Sequence, residues 1–280
     1  MKEPIIITAY GGHNIHATFF PPPKQIESVV LIVPGVGIRQ RYYASMATYL
    51  AEHGMAAYTY DYHGIGASKP KRLRGFQTSV SAWAEKDTQG MLKQLRRAHP
   101  GKPLYILAHS GGGTVLGLAT ETQHADKILL VASPRCLRSD YKGGARRKMW
   151  LLTSVLYPVI PRLFGYFPNK LFKLGENLPK GVALEWGRWG RNKLGMAGVV
   201  GEKMQRFSEI KAPISAVSFD QDFFAGPENV KAMQKVYTGA PFTYRHFSRA
   251  DNGGRSVGHF CFFKSANQEV FGPFVRDFFR

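Results

Sequence analysis

Leu104-Tyr105-Ile106-Leu107-Ala108-His109-Ser110-Gly111-Gly112 decides how the rest of the chain is read. Leu104 to Ala108 is a continuous apolar run, as expected of a strand buried on both faces of a parallel sheet. A helix is expected from Gly113 to Thr122, which places Ser110 in the tight turn between the two. Such a turn can hold a serine on strained backbone with its hydroxyl exposed, provided the flanking residues are small. Ala108 and Gly112 meet that condition. Ser110 also has a plainer role open to it, as the N-cap of the following helix.

Upstream of the turn, Lys2 to Thr8 and Asn14 to Phe20 are β-prone runs joined by Gly11-Gly12-His13, an expected antiparallel hairpin. Ser28 to Val33 is a second buried strand. Tyr43, Met46, Ala47 and Leu50 form a helical stripe within Tyr42 to Glu52, Ala56 to Tyr60 is a strand, and Val80 to Arg97 is a helix. Downstream come strand Ile128 to Ala132, strand Ile214 to Phe219, helix Glu228 to Tyr237, strand Phe242 to Phe247 and a terminal helix from Ser265. Strands alternating with helices imply an α/β protein with a mainly parallel, twisted sheet and helices on both faces. The alternation breaks after Ser133-Pro134, and Arg135 to Lys203 reads as a mostly helical insertion. It holds fourteen Lys and Arg against four Asp and Glu. The expected domains are therefore a core of residues 1–134 and 204–280, with residues 135–203 inserted.

A length of 280 residues suits one large domain or a core with one insertion. With 44% hydrophobic and 20% charged residues, wholesale disorder is excluded. Cys136 and Cys261 are too few for a disulfide framework, no Cys/His group has zinc-site spacing, and a cytoplasmic location is expected. The opening residues lack a signal-peptide pattern, and the longest apolar stretch, Met149 to Ile160, is too short to span a membrane. A net charge of +19 favours anionic partners or substrates, although a solvated basic surface would give the same figure. Trp186-Gly187-Arg188-Trp189-Gly190-Arg191 interleaves aromatic and basic residues, as a nucleic-acid surface can. Its expected reading is tryptophans packed inward with guanidiniums outward, and no nucleic-acid partner.

A serine hydroxyl needs a base, and the base an orienting group. Of nine histidines, His259 in Ser256-Val257-Gly258-His259-Phe260 follows the last strand, at the edge of the sheet where ligands bind. His109, beside Ser110, is expected to point elsewhere. Asp220 and Asp222, just beyond strand Ile214 to Phe219, are the candidate acids.

The order Ser, Asp, His resembles that of the α/β-hydrolase superfamily. Asp61-Tyr62-His63-Gly64-Ile65-Gly66-Ala67-Ser68 is similar to its D-Y-R-G-H-G-x-S loop, and Gly258-His259 before Phe262-Phe263 to its terminal G-H-x-x-F segment. Phe219-Asp220-Gln221-Asp222 is similar to its G-D-x-D turn. The resemblance implies an α/β-hydrolase fold with Ser110 as nucleophile, His259 as base and Asp222 as orienting acid, with Asp220 bracing the loop. Asp61 and Asp87 would then cap a turn and a helix. Pro34-Gly35-Val36-Gly37 stands where the superfamily has an H-G loop, so Val36 and Gly111 are implied as the oxyanion donors. Proline in place of that histidine removes a side-chain brace.

By the same resemblance the insertion is a lid, and Trp150, Leu151, Leu152, Val155, Leu156 and Tyr157 either line an acyl pocket, with Trp150 and Leu156 as the substrate-binding residues, or pack the lid onto the core. The implied activity is hydrolysis of a carboxylic ester or thioester. Acyl transfer by the same residues, and a non-catalytic binding protein on the same scaffold, are the alternatives. No cofactor or metal is implied. Gly35-Val36-Gly37 lacks the third glycine of a dinucleotide loop, and there is no P-loop.

Overall fold

A computed structural model describes residues 2–172 and 174–280. Its main sheet has eight strands: β1 (Glu3–Thr8), β2 (Asn14–Phe20), β3 (Ser28–Val33), β4 (Met55–Tyr60), β5 (Leu104–His109), β6 (Lys127–Val131), β9 (Ile214–Phe219) and β10 (Phe242–Phe247). A two-stranded ribbon, β7 (Tyr166–Phe167) and β8 (Leu178–Pro179), lies between β6 and β9 in sequence. The order across the main sheet is β1-β2-β4-β3-β5-β6-β9-β10. Only β2 runs against its neighbours; every other pairing is parallel. Of the strands expected to be buried on both faces, β3 is buried throughout, and β5 and β6 at every residue except Tyr105 and Lys127; β4 and β9 are buried throughout as well.

From β3 the chain crosses to β4 on one side and returns to place β5 on the other, with Val33 paired to Ala108. This reversal makes the carboxyl ends of β3 and β5 a topological switch point, where two loops part and leave a crevice. Gly35 follows one strand and Ser110 the other.

Four elements depart from expectation, one of them the helix expected from Glu228 to Tyr237, which is α-helical only over Pro227–Lys231 and ends in a 3-10 turn, Ala232–Lys235. The helix after Ser110 is α-helical only over Gly111–Val115, continues as 3-10 turns, and breaks at Ala119 with ψ 113°. Three glycines followed by Thr114 and Val115 have weak helix propensity, so packing governs the path. The helix from Val80 to Ala98 contains a wide turn, Trp83–Thr88, with i to i−5 bonding. The insertion is mostly helical as expected but holds the β7–β8 ribbon. Its first long helix, Gly143 to Phe164, also has a wide turn, Leu152–Leu156. Cys136 and Cys261 are free and buried. No described helix is long and apolar enough to cross a membrane.

Candidate active site

Ser110 has φ 50° and ψ −127°, a conformation costly for any residue with a side chain. Its N–H donates to Val131 O at 2.8 Å and its carbonyl accepts from Gly113 N at 3.1 Å, so the backbone on both sides holds the strain in place. The turn can close because Gly112 has no side chain: a Cβ there would lie 2.5 Å from Pro34 O. The N-cap role is not taken, as the Ser110 side chain makes no capping bond.

The hydroxyl instead points at a histidine. Ser110 Oγ lies 2.8 Å from His259 Nε2, and His259 Nδ1 lies 2.8 Å from Asp222 Oδ2. A carboxylate only accepts, so Nδ1 carries the proton and Nε2 is left to accept from the serine. Asp222 is fixed in turn, its Oδ1 accepting from Phe224 N and Ala225 N, each at 2.9 Å. The sequence joins these residues across 149 positions, and the sheet brings them to one edge.

Asp220, the other candidate acid, is turned away. Its carboxylate accepts from His246 Nε2 at 3.0 Å and Arg249 N at 3.1 Å, bonds that hold its carboxyl below the usual carboxylate range. It braces the loop, as the resemblance implied. Asp61 accepts from Gln40 N and Ala67 N, tying its glycine turn to the start of the helical segment after β3. Asp87, in the wide turn, accepts from His13 Nε2 and His63 N; burial raises its pKa.

His109 points away from the serine, as expected, but into a network the sequence did not disclose. His109 Nε2 is 3.0 Å from the carbonyl of His259, so this nitrogen carries the proton and donates. Nδ1 is therefore an acceptor, taking the Tyr43 hydroxyl proton at 2.9 Å, while Tyr43 Oη accepts from Gly35 N at 2.8 Å. Burial, and secondarily the nearby His259, push the His109 pKa down to about 3, which keeps the ring neutral and suited to this relay. The network joins the Gly35 loop to the His259 loop. It also answers what braces the loop in which proline replaces histidine: Tyr43, from the next helix, reaches back to it.

Val36 and Gly111 meet across the crevice, where a Cβ on Gly111 would lie 2.6 Å from Val36 Cγ2. Among the described residues, neither N–H donates a backbone hydrogen bond in the turns and loops. Ser110 and His259 open into a narrow cavity of ≈ 70 Å³ walled mainly by Val36, Met149, Leu152, Tyr157, Trp186 and Phe224. The insertion thus supplies much of the wall; of the six apolar candidates Leu152 and Tyr157 line it, whereas Trp150 and Leu156 do not. Trp150 is 46% exposed, and Leu156 packs against the core outside the cavity lining. The wide turn Leu152–Leu156 is the reason. One extra residue in that turn moves the inward position from Leu156 to Tyr157, keeping Met149, Leu152 and Tyr157 on one face. Trp186 lines the cavity and Trp189 is buried, with Arg188 and Arg191 outward.

A switch-point serine on a strained strand-to-helix turn, within a mainly parallel eight-stranded sheet, defines an α/β-hydrolase. Residues 24–179 match the family described as serine aminopeptidase, S33, and the chain belongs to that family. Among solved structures it is similar to a carboxyl esterase from Bacillus coagulans in complex with glycerol, with TM-score 0.64 and 15% identity over 100% of this chain and 99% of that one. An esterase of Pyrococcus furiosus gives 0.63 and 14%, covering 99% and 90%. A thioesterase domain from the curacin biosynthetic pathway gives 0.56 and 16%, covering 100% and 99%. At these identities the likeness is one of fold.

Proposed function

We propose that the protein hydrolyses carboxylic esters or thioesters with an apolar acyl part, through an acyl-enzyme on Ser110. The observation that carries this reading is the continuous hydrogen-bonded series Asp222, His259, Ser110 opening into a cavity with apolar walls. His259 takes the Ser110 proton as Oγ attacks the acyl carbon, and Asp222 stabilises the imidazolium formed. The Val36 and Gly111 N–H groups receive the developing oxyanion. His259 Nε2–H then protonates the leaving alcohol or thiol, and water repeats the sequence to release the acid. Residues 135–203 act as a lid on the core of residues 1–134 and 204–280.

An ester fits this cavity better than a peptide N-terminus. An aminopeptidase must hold a charged α-ammonium, and among the described residues the cavity lining contains no carboxylate. The nearby Glu176 is paired with Arg39 and Lys170. A fluorophosphonate probe should label the wild type and not Ser110→Ala, and a panel of acyl esters and thioesters should be turned over while aminoacyl anilides are not. Ser110→Ala should lose roughly 10⁶-fold in kcat. Turnover of the anilides in preference to the esters would overturn the substrate class, and labelling of Ser110→Ala would overturn the nucleophile.

A further inference from the structure

The outer side of the insertion has two features that the chemistry at Ser110 does not use. One is a cleft of ≈ 510 Å³ lined by Gln77, Thr78 and Ser79 of the core segment and by Arg162, Arg188 and Arg191 of the insertion. None of these three arginines takes part in an ion pair among the described residues, and the cleft lining holds no carboxylate. Two of them are anchored: Arg191 donates to Thr153 O and Arg162 to Pro158 O, and their other N–H groups make no further hydrogen bond among the described residues. Partial burial together with the charges of Arg162 and Arg188 lowers the Arg191 pKa, as expected for like charges gathered without a counter-ion.

The second feature is apolar surface beside that cleft. Arg162 lies on helix Tyr157–Phe164, whose outer positions Val159, Leu163 and Phe164 are 49%, 67% and 54% exposed. Its inner side is anchored by buried Tyr157 and Pro161. An amphipathic helix showing large apolar side chains and arginine to solvent, next to a cleft of uncompensated guanidiniums, has the composition of an element that lies in a membrane interface. An anionic lipid surface supplies phosphate for the one and acyl chain for the other.

We propose that this side of the insertion docks on an anionic phospholipid bilayer, with lipid phosphates in the Arg162/Arg188/Arg191 cleft and Val159, Leu163 and Phe164 entering the interface. Docking is independent of the hydrolytic reading, because neither feature includes a residue of the candidate catalytic site.

The test is vesicle flotation of the full chain carrying Ser110→Ala, so that no turnover alters the lipid. Vesicles of phosphatidylcholine with about one-third phosphatidylglycerol should carry the protein and pure phosphatidylcholine should not. Arg162→Gln/Arg188→Gln/Arg191→Gln should lower partition roughly 100-fold, since each basic residue near such a surface contributes about fivefold. Leu163→Ser/Phe164→Ser should lower it about tenfold or more. Lys142→Gln/Arg146→Gln/Arg147→Gln removes the same charge elsewhere on the insertion and should cost much less. With Ser110 restored, each variant should turn over a short soluble ester at the wild-type rate, which checks folding. Equal loss in both triple variants would reduce the effect to general charge and overturn the cleft. Wild-type flotation by the Arg162/Arg188/Arg191 variant would overturn it also. Binding of inorganic phosphate in the cleft without vesicle association would assign the site to a soluble phosphate and overturn bilayer docking. A wild type that floats but cleaves no ester would instead refute the function proposed above.

Discussion

At the carboxyl edge of the sheet backbone hydrogen bonds hold Ser110, Asp222 and His259 in place; in the insertion, side-chain packing shapes the cavity wall. Ser110 is fixed through Val131 O and Gly113 N, Asp222 through two backbone N–H groups, and the His259 carbonyl through His109. The insertion contributes Met149, Leu152, Tyr157 and Trp186 to the cavity. It also carries eight of the eleven large apolar residues left exposed among the described residues. A site held by backbone tolerates little displacement, whereas a wall of side chains can change its occupants and its shape. Chemistry should therefore fail on changes at the edge, and preference should shift on changes in the insertion.

The sharpest way to break this contrast lies in the two aspartates. Asp222→Asn keeps the shape of the acid but no longer fixes the His259 tautomer, so ester turnover should fall on the order of 10⁴-fold. Asp220→Asn should cost less than about tenfold, since it loosens only a surface brace. Comparable losses in the two variants would mean that the loop as a whole, and not one carboxylate, matters.

A smaller effect is expected at the buried relay. Tyr43→Phe leaves Gly35 N–H and His109 Nδ1 without partners and should destabilise the fold by about 1–3 kcal/mol. Ester turnover should fall roughly 10- to 100-fold as the Gly35 loop loses its brace. The relay also sets a pH dependence. Because the His109 pKa is about 3 in the fold against 6.5 for the free side chain, the unfolded chain takes up a proton that the native state refuses. Stability therefore falls as pH drops from 6.5 towards 3. His63, lowered to about 4, acts in the same direction. Denaturant titrations should show a shallower decline in His109→Gln over this window, and an unchanged slope would remove His109 from the account.

The same division explains what could be read from the chain. Buried strands announce themselves by uninterrupted apolar runs, and the Ser110 turn by small residues at fixed offsets; both are local signals. Asp222 and Asp220 were separable only by resemblance, because which carboxylate reaches His259 depends on a turn whose geometry two residues cannot reveal. Tyr43 appeared merely as one member of a helical stripe, since its hydroxyl finds Gly35 and His109 only once β3, β5 and the intervening helix have packed. Trp150 and Leu156 were misplaced for a related reason. A regular helix and one with a wide turn place different residues inward, and nothing in Leu152-Thr153-Ser154-Val155-Leu156 signals the extra residue in its turn.

That misplacement can itself be tested. Leu152→Ala opens the cavity wall and should shift acyl-length preference by about 0.8 kcal/mol per methylene accommodated, or roughly fourfold in relative kcat/KM. Trp150→Ala, on the exposed side of the same helix, should leave preference unchanged. A panel of esters graded in acyl length reads both, and a larger shift from Trp150→Ala would put the cavity elsewhere.

The finest test compares one substitution in the two regions. Ser110 sits at φ 50° and ψ −127°, where glycine is at ease and serine is not. Relief of about 1–3 kcal/mol of strain, less the 0.5–1 kcal/mol that glycine costs in chain entropy, leaves Ser110→Gly stabilised by about 1 kcal/mol. That corresponds to a rise of about 2–4 °C in Tm. Ser154 lies within the helix of the insertion, where the backbone already suits any side chain. Ser154→Gly should therefore destabilise, by about 0.5 kcal/mol, through helix propensity alone. Thermal unfolding of the two variants should give shifts of opposite sign. Destabilisation by both would mean that the Ser110 turn stores no strain, and that its shape follows from the packing of Gly112 against Pro34 alone.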